Sequence, residues 1–171
     1  MNLIYKLLLT LSATSWMLII YVIKEKVTIC KIPSWLFYII LIFIPIILSF
    51  LSIGLTKFIT RESDVNKCRE CNLADGEFLP VYLGYFFVSL SVPDILTMCF
   101  VYLIVFVFTL LSQTQYFNPA FLIFGYHYYH ITTEKGTTIF VIKKGKVVRN
   151  IANLSLRNLR RLNDTTFIER R

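Results

Sequence analysis

Long apolar runs separated by short charged stretches organise the first two thirds of the chain. Leu7 to Ile23 carries no charge, and neither does Trp35 to Leu55, the longest run. Phe78 to Val92 is shorter, and Ile95 to Leu111 is rich in Phe and Val. A membrane-spanning helix needs about 17–25 apolar residues, so the first, second and fourth runs predict spans. The third has 15 residues, about 22 Å of helix at ~1.5 Å per residue. That is short of the roughly 30 Å hydrocarbon core. It predicts a crossing that thins the bilayer or leans on its neighbours, with Tyr82 and Tyr85 toward the interface; a re-entrant hairpin is the rival. Pro45 predicts a kink in the second run. Asp94, between Pro93 and Ile95, predicts the N-cap of the fourth helix. The first run is too long for a typical signal-peptide core and no A-x-A-like site follows, which favours an uncleaved helix.

After Leu111 the period changes. QTQYFNPAFLIFGYHYYHI reads as an aromatic, interfacial exit from the membrane. YHYYHITTEKGTTIFVIKKGKVV predicts two strands around Glu134-Lys135-Gly136. A third strand is expected at Val147 to Ile151 and a fourth at Thr165 to Ile168. Leu154, Leu159 and Leu162 fit one face of a short helix, with Arg157, Arg160 and Arg161 elsewhere on it. The fold class is therefore an α-helical membrane protein. Four transmembrane helices (about 7–23, 35–55, 78–92 and 95–111) fill residues 1–111, followed by a small cytoplasmic β-rich domain in 112–171. Small residues, Ser12, Ala13, Thr14 and Ser15 in the first run and Ser49, Ser52 and Gly54 in the second, permit close helix approach. They fit packing within one chain or an oligomer seam.

Composition supports the membrane reading. Of 171 residues, 56% are hydrophobic and only 16% charged, where soluble domains carry about a quarter charged. The mean hydropathy is +0.65. Net charge is +8, and +7 of it lies from Ser112 onward, where ten Lys/Arg face three Asp/Glu. A basic, membrane-proximal region points to the cytoplasmic face, to anionic headgroups or to an acidic partner. Four spans with both termini inside place fifteen Lys/Arg inside and only Lys24, Lys26 and Lys31 outside, as the positive-inside rule asks. An odd number of spans puts one basic region on the wrong side.

Chemistry is sparse. In KCRECNLADGEFLPVYLGYF, Cys68 and Cys71 have the spacing of half a zinc site. Cys30, Cys99, His127 and His130 are the other candidate ligands, and a complete site needs a neighbouring subunit. Unliganded thiols, a shared metal and a redox pair are the three readings, and no cofactor is predicted. The same stretch reads as a cytoplasmic hinge, with Asp75 and Glu77 in water and Phe78 onward in lipid. His127 and His130, three apart on a strand, face opposite sides and read as surface or interface histidines. No nucleophile elbow, phosphate-binding glycine loop or H-E-x-x-H is present. The apolar runs hold no Lys, Arg, Asp or Glu, which weighs against a pump. A pore lined by hydroxyls stays open.

The run LADGEFLPVYLGYFFVSLSVPD after a Cys-x-x-Cys, then FNPAFLIFGYHYYHITTEKG and LRRLNDTTFIE, resembles the membrane-subunit family of the Kiwa antiphage system, KwaA, over roughly residues 60–171. The resemblance implies a non-enzymatic, multi-pass inner-membrane protein assembled as a homo-oligomer, a tetramer. It further implies a cytoplasmic face that docks the soluble subunit KwaB, the DNA-binding component, and offers no catalytic residues. A sensor and scaffold that touches lipid, itself and a soluble effector, with no direct nucleic-acid contact, is thus the expected function. Arg157, Arg160 and Arg161 are the candidate partner-binding residues. The alternative is a small oligomeric pore-forming or membrane-disrupting effector. A metal or thiol enzyme at the membrane surface ranks behind both.

Overall fold

The structure, a computed structural model, describes residues 3–28, 32–59, 68–112, 118–134, 136–148, 156, 158–163 and 165–169. The chain divides into two compact units. One holds residues 2–53 and 78–118; the other holds 54–77 and 119–171.

The helical unit contains α1 (Leu3–Lys24), α2 (Ser34–Leu55), α3 (Leu79–Ser91) and α4 (Ile95–Ser112). Of these, α1, α2 and α4 are long and apolar enough to cross a membrane. At 13 residues, α3 reaches about 20 Å at ~1.5 Å per residue and is too short to count among them. Half of the apolar window of α1 is buried, against 17% for α2 and 11% for α4, so α1 is the inner helix. Its polar side chains explain how it tolerates that position. The hydroxyls of Thr10 and Thr14 donate to the carbonyls of Lys6 and Thr10 at 2.9 and 2.8 Å. Those of Ser12 and Ser15 donate to Leu9 and Ser12 at 3.1 and 3.0 Å. Such bonding satisfies a hydroxyl where water is absent.

Further bonds fasten the other helices to α1. Ser89 donates to the Met17 carbonyl at 2.8 Å, Thr14 meets the Tyr102 hydroxyl at 3.1 Å, and Lys24 donates to the Val92 carbonyl. Asn118 reaches two helices, donating to Ser12 Oγ at 2.8 Å and to Ser49 Oγ at 2.9 Å. Ser12, Ala13, Thr14 and Ser15 are all buried within the single chain. Of the two readings of that patch, intrachain packing is the one observed. Tyr82 and Tyr85, expected toward the interface, pack inside the helical unit. They are buried with Met17, Tyr21, Val92 and Met98, because their side of α3 faces α1. Asp94 caps α4 as predicted: its carboxylate accepts from the Thr97 amide at 2.9 Å and the Thr97 hydroxyl at 2.8 Å. α2 continues through Pro45.

The second unit is built on a mixed five-stranded sheet. Its strands are β1 (Cys68–Leu73), β2 (Tyr126–Thr133), β3 (Thr138–Lys144), β4 (Leu159–Arg161) and β5 (Thr166–Glu169), in the order β1-β2-β3-β5-β4. β2 and β3 form the predicted hairpin, in register from Tyr126↔Lys144 to Thr132↔Thr138. Gly136 turns it at φ +80°, a left-handed conformation that glycine adopts without penalty. β5 matches the predicted fourth strand and runs parallel to β3. Three expectations are corrected. The segment 68–73 is an edge strand rather than a hinge, because β2 offers it an open edge. Val147 and Val148 form no strand, and residues 149–151 lie outside the described residues. Leu159–Arg161 is a strand and not part of a helix, because β5 presents the edge it pairs with.

Alternation fixes two faces. Tyr129, Ile131, Ile139, Val141, Leu156 and Leu159 form the core on one face, with Cys68, Cys71, Val148 and Phe167 packed against it. On the other face lies a ring series: Phe121 of α5 (Pro119–Ile123) stacks on Tyr128 at 6.5 Å, and Tyr128 on Phe140 at 5.7 Å. Of the stretch read as an interfacial exit, residues 113–117 lie outside the described residues, and Phe121, Tyr126, Tyr128 and Tyr129 are buried in the core.

Candidate functional site

The basic charge of the chain is concentrated in the sheet unit, which holds fourteen of the 18 Lys/Arg. Of the three arginines singled out in the sequence, Arg157 lies outside the described residues. Arg160 and Arg161 occupy successive positions of β4, opposite Ile168 and Phe167, so strand alternation sends them to opposite faces. They do not form one basic stripe. Arg160 is half-buried and donates through Nη1 to the Ile59 carbonyl, which ties β4 to the residue after the 3₁₀ turn Thr56–Phe58. Arg161 is exposed, its Nε donating to the Asn163 carbonyl at 3.1 Å.

Cys68 and Cys71 share a face for a reason the spacing conceals. Residues three apart on a regular strand point to opposite sides. Here the register slips between Cys68 and Glu70: Cys68 pairs with Thr133, Glu70 with Thr132 and Cys71 with Ile131. Arg69 is the extra residue of a β-bulge, and both thiols end on the Ile131 face. Burial pushes the Cys68 thiol above its ordinary range, with Glu134 adding to the effect. Burial also raises Cys71, Cys68 adds to it, and Lys143 opposes it. Raised thiols hold little thiolate, the form that attacks and that ligates metal. Among the described residues no three His, Cys, Asp or Glu side chains gather as a metal site. Cys99 is exposed on α4, and Cys30 lies outside the described residues.

The histidines face opposite sides of β2, as alternation requires, but each has a carboxylate partner that the sequence reading left in water. Asp75 Oδ2 lies 2.6 Å from His127 Nδ1, and its Oδ1 accepts from the Tyr128 amide at 2.7 Å. Glu77 Oε2 lies 2.9 Å from His130 Nε2. The Ala74 amide donates to the Tyr128 carbonyl at 2.8 Å. Beside His127, Lys143 and Glu169 form a buried ion pair at 2.5 Å. Tyr129 accepts from the Val148 amide at 3.0 Å. Burial raises its phenol above the usual range against that bond, with Asp75 and Cys71 contributing. More than fifty residues separate these pairs in the chain, with |i−j| of 52 and 53, so no local pattern announces them.

The family described as Anti-phage protein KwaA matches residues 5–168. No curated protein matches the chain, and no solved structure does.

Proposed function

The chain belongs to the KwaA anti-phage family, and we propose on that premise that it is a non-catalytic membrane scaffold that brings a soluble effector to the bilayer. The family assigns it to antiviral defence, and α1, α2 and α4, each long and apolar enough to cross a membrane, associate it with one. The proposal adds topology, assembly and partner. The chain crosses the inner membrane four times, α3 included, with both termini cytoplasmic, and assembles as a homo-oligomer. The sheet unit is the docking platform for an acidic surface of the effector.

One observation carries the reading. Most of the positive charge sits on a folded sheet unit, and the helices leave long apolar faces exposed on α2 and α4. Lipid or further copies of the chain cover those faces; the platform remains for a partner. Arg161 is on its surface, whereas Arg160 is committed to Ile59.

The test is Arg157→Glu with Arg161→Glu. The double variant stays in the membrane but loses co-purification of the KwaB-like soluble subunit and loses protection from phage. Interfacial charge pairs lose about 2–5 kcal/mol when one partner is truncated, whereas headgroup contacts worth about 1 kcal/mol per charge change little in a chain already anchored by helices. Retained capture and protection overturn the arginine interface. Reporter fusions after Arg171 and within residues 24–33 test the topology; a C-terminus outside the cytoplasm sinks it.

A further inference from the structure

We propose that the two histidine–carboxylate pairs form a pH-responsive latch on the segment Ala74 to Glu77, tightening as the imidazoles gain protons and loosening as they lose them. The chain has two histidines, and both meet carboxylates of this one four-residue segment. His127 and His130 lie on opposite faces of β2, so the segment is held from both sides of the strand. Between them two backbone bonds complete the grip: Ala74 donates to Tyr128, and Tyr128 donates to Asp75. The same segment is the covalent link from β1 to α3.

Histidine is the side chain that ordinarily changes charge between about pH 5 and 8. A hydrogen bond with one ionised partner is already stronger than a neutral one, and an opposite charge on the other partner adds the modest attraction of a partly exposed ion pair. Protonation therefore adds the attraction of opposite charges to both contacts while the carboxylates stay ionised, and deprotonation leaves each as a neutral imidazole N–H on a carboxylate. The surroundings of the two rings differ. Lys143 on β3 lies directly opposite His127, and Glu169 on β5 faces Lys143 at 2.5 Å. Tyr129 and Cys71 lie on the same face, and Lys144 is the next β3 residue. His130 packs on the Phe140 ring at 5.1 Å and pairs with Phe140 and Asn72 across the sheet, both uncharged, with Glu77 as its carboxylate. The His130 side chain is 39% exposed and that of His127 is 23% exposed, so protons reach both without unfolding.

The test uses the full chain in lipid nanodiscs. Amide hydrogen exchange of Ala74 and Tyr128, corrected for the intrinsic effect of pH, is followed from pH 6 to pH 8. Protection is expected to fall roughly twofold to fivefold over that range, the worth of a partly exposed ion pair. His127→Asn with His130→Gln is expected to flatten the profile. Asp75→Asn and Glu77→Gln, near-isosteric and tested singly, are each expected to remove about half of the pH response, and they decide the matter if the double histidine variant does not fold. Flat protection in the unmodified protein, or an unchanged profile in both single variants, overturns the latch.

Discussion

Lys143 Nζ lies 2.5 Å from Glu169 Oε2, a buried ion pair that joins β3 to β5. Removing one partner leaves an uncompensated buried charge, which destabilises by about 3–5 kcal/mol. Lys143→Met is expected to fall in that range on chemical unfolding of the sheet. Lys143→Met combined with Glu169→Leu is expected to recover most of the loss, since apolar replacement of both partners is often near neutral. A double variant as unstable as the single one contradicts this.

Asn118 is fully buried and bridges the hydroxyls of Ser12 and Ser49. Bonds of this kind inside membrane proteins average about 0.6 kcal/mol. Asn118→Ala is therefore expected to destabilise the helical unit by about 1 kcal/mol. Ser12→Ala in the Asn118→Ala background is expected to add less than it does alone, a coupling that a double-mutant cycle reads.

Ala13 is 4% exposed within the single chain. Ala13→Leu overfills that space, which costs about 1–3 kcal/mol. Weakened self-association is then expected only together with lowered thermal stability. A variant that loses oligomer on gentle sizing while keeping its unfolding temperature returns the patch to an intersubunit role.

The Asp94 carboxyl is held below its ordinary range, first by the Thr97 amide and then by the Thr97 hydroxyl. A depressed carboxyl stabilises the fold above the unfolded value, and that contribution is lost as pH falls through the native value. With an ordinary value of 3.8, the advantage of Asp94 over Asp94→Asn is expected to be complete at neutral pH and to shrink below about pH 4. Thermal unfolding of both proteins across pH 3 to 7 checks it, and a constant difference refutes it.

The parts of the fold written in local patterns were legible in the sequence. Charge-free runs mark α1, α2 and α4; Asp94 marks a cap; Glu134-Lys135-Gly136 marks a hairpin. What escaped depends on distant partners. KCRECNL looks like a polar connector until β2, far along the chain, supplies an edge for it. Leu159 and Leu162 fit a helical face, but pairing with β5 overrides that period. Tyr82 and Tyr85 have the amphipathic chemistry of an interface, yet face α1. The candidate arginines were visible as a basic cluster. The separation of Arg160 and Arg161 onto two strand faces, like the pairing of Asp75 and Glu77 with the histidines, exists only once the sheet has formed.

The place of β1 in the sheet also sets an order of events during synthesis. β1 emerges from the ribosome about fifty residues before Tyr126, the start of its partner strand, and both α3 and α4 are made in between. Throughout that interval its backbone donors and acceptors have no sheet to join, and unpaired strands of this kind are where nascent chains aggregate. Glu70 and Asn72, and the bulge at Arg69, make it a poor template for a stray strand meanwhile. A polypeptide that stops after α4 carries α1 to α4 yet cannot close its sheet, so completion of the platform waits on synthesis through β5.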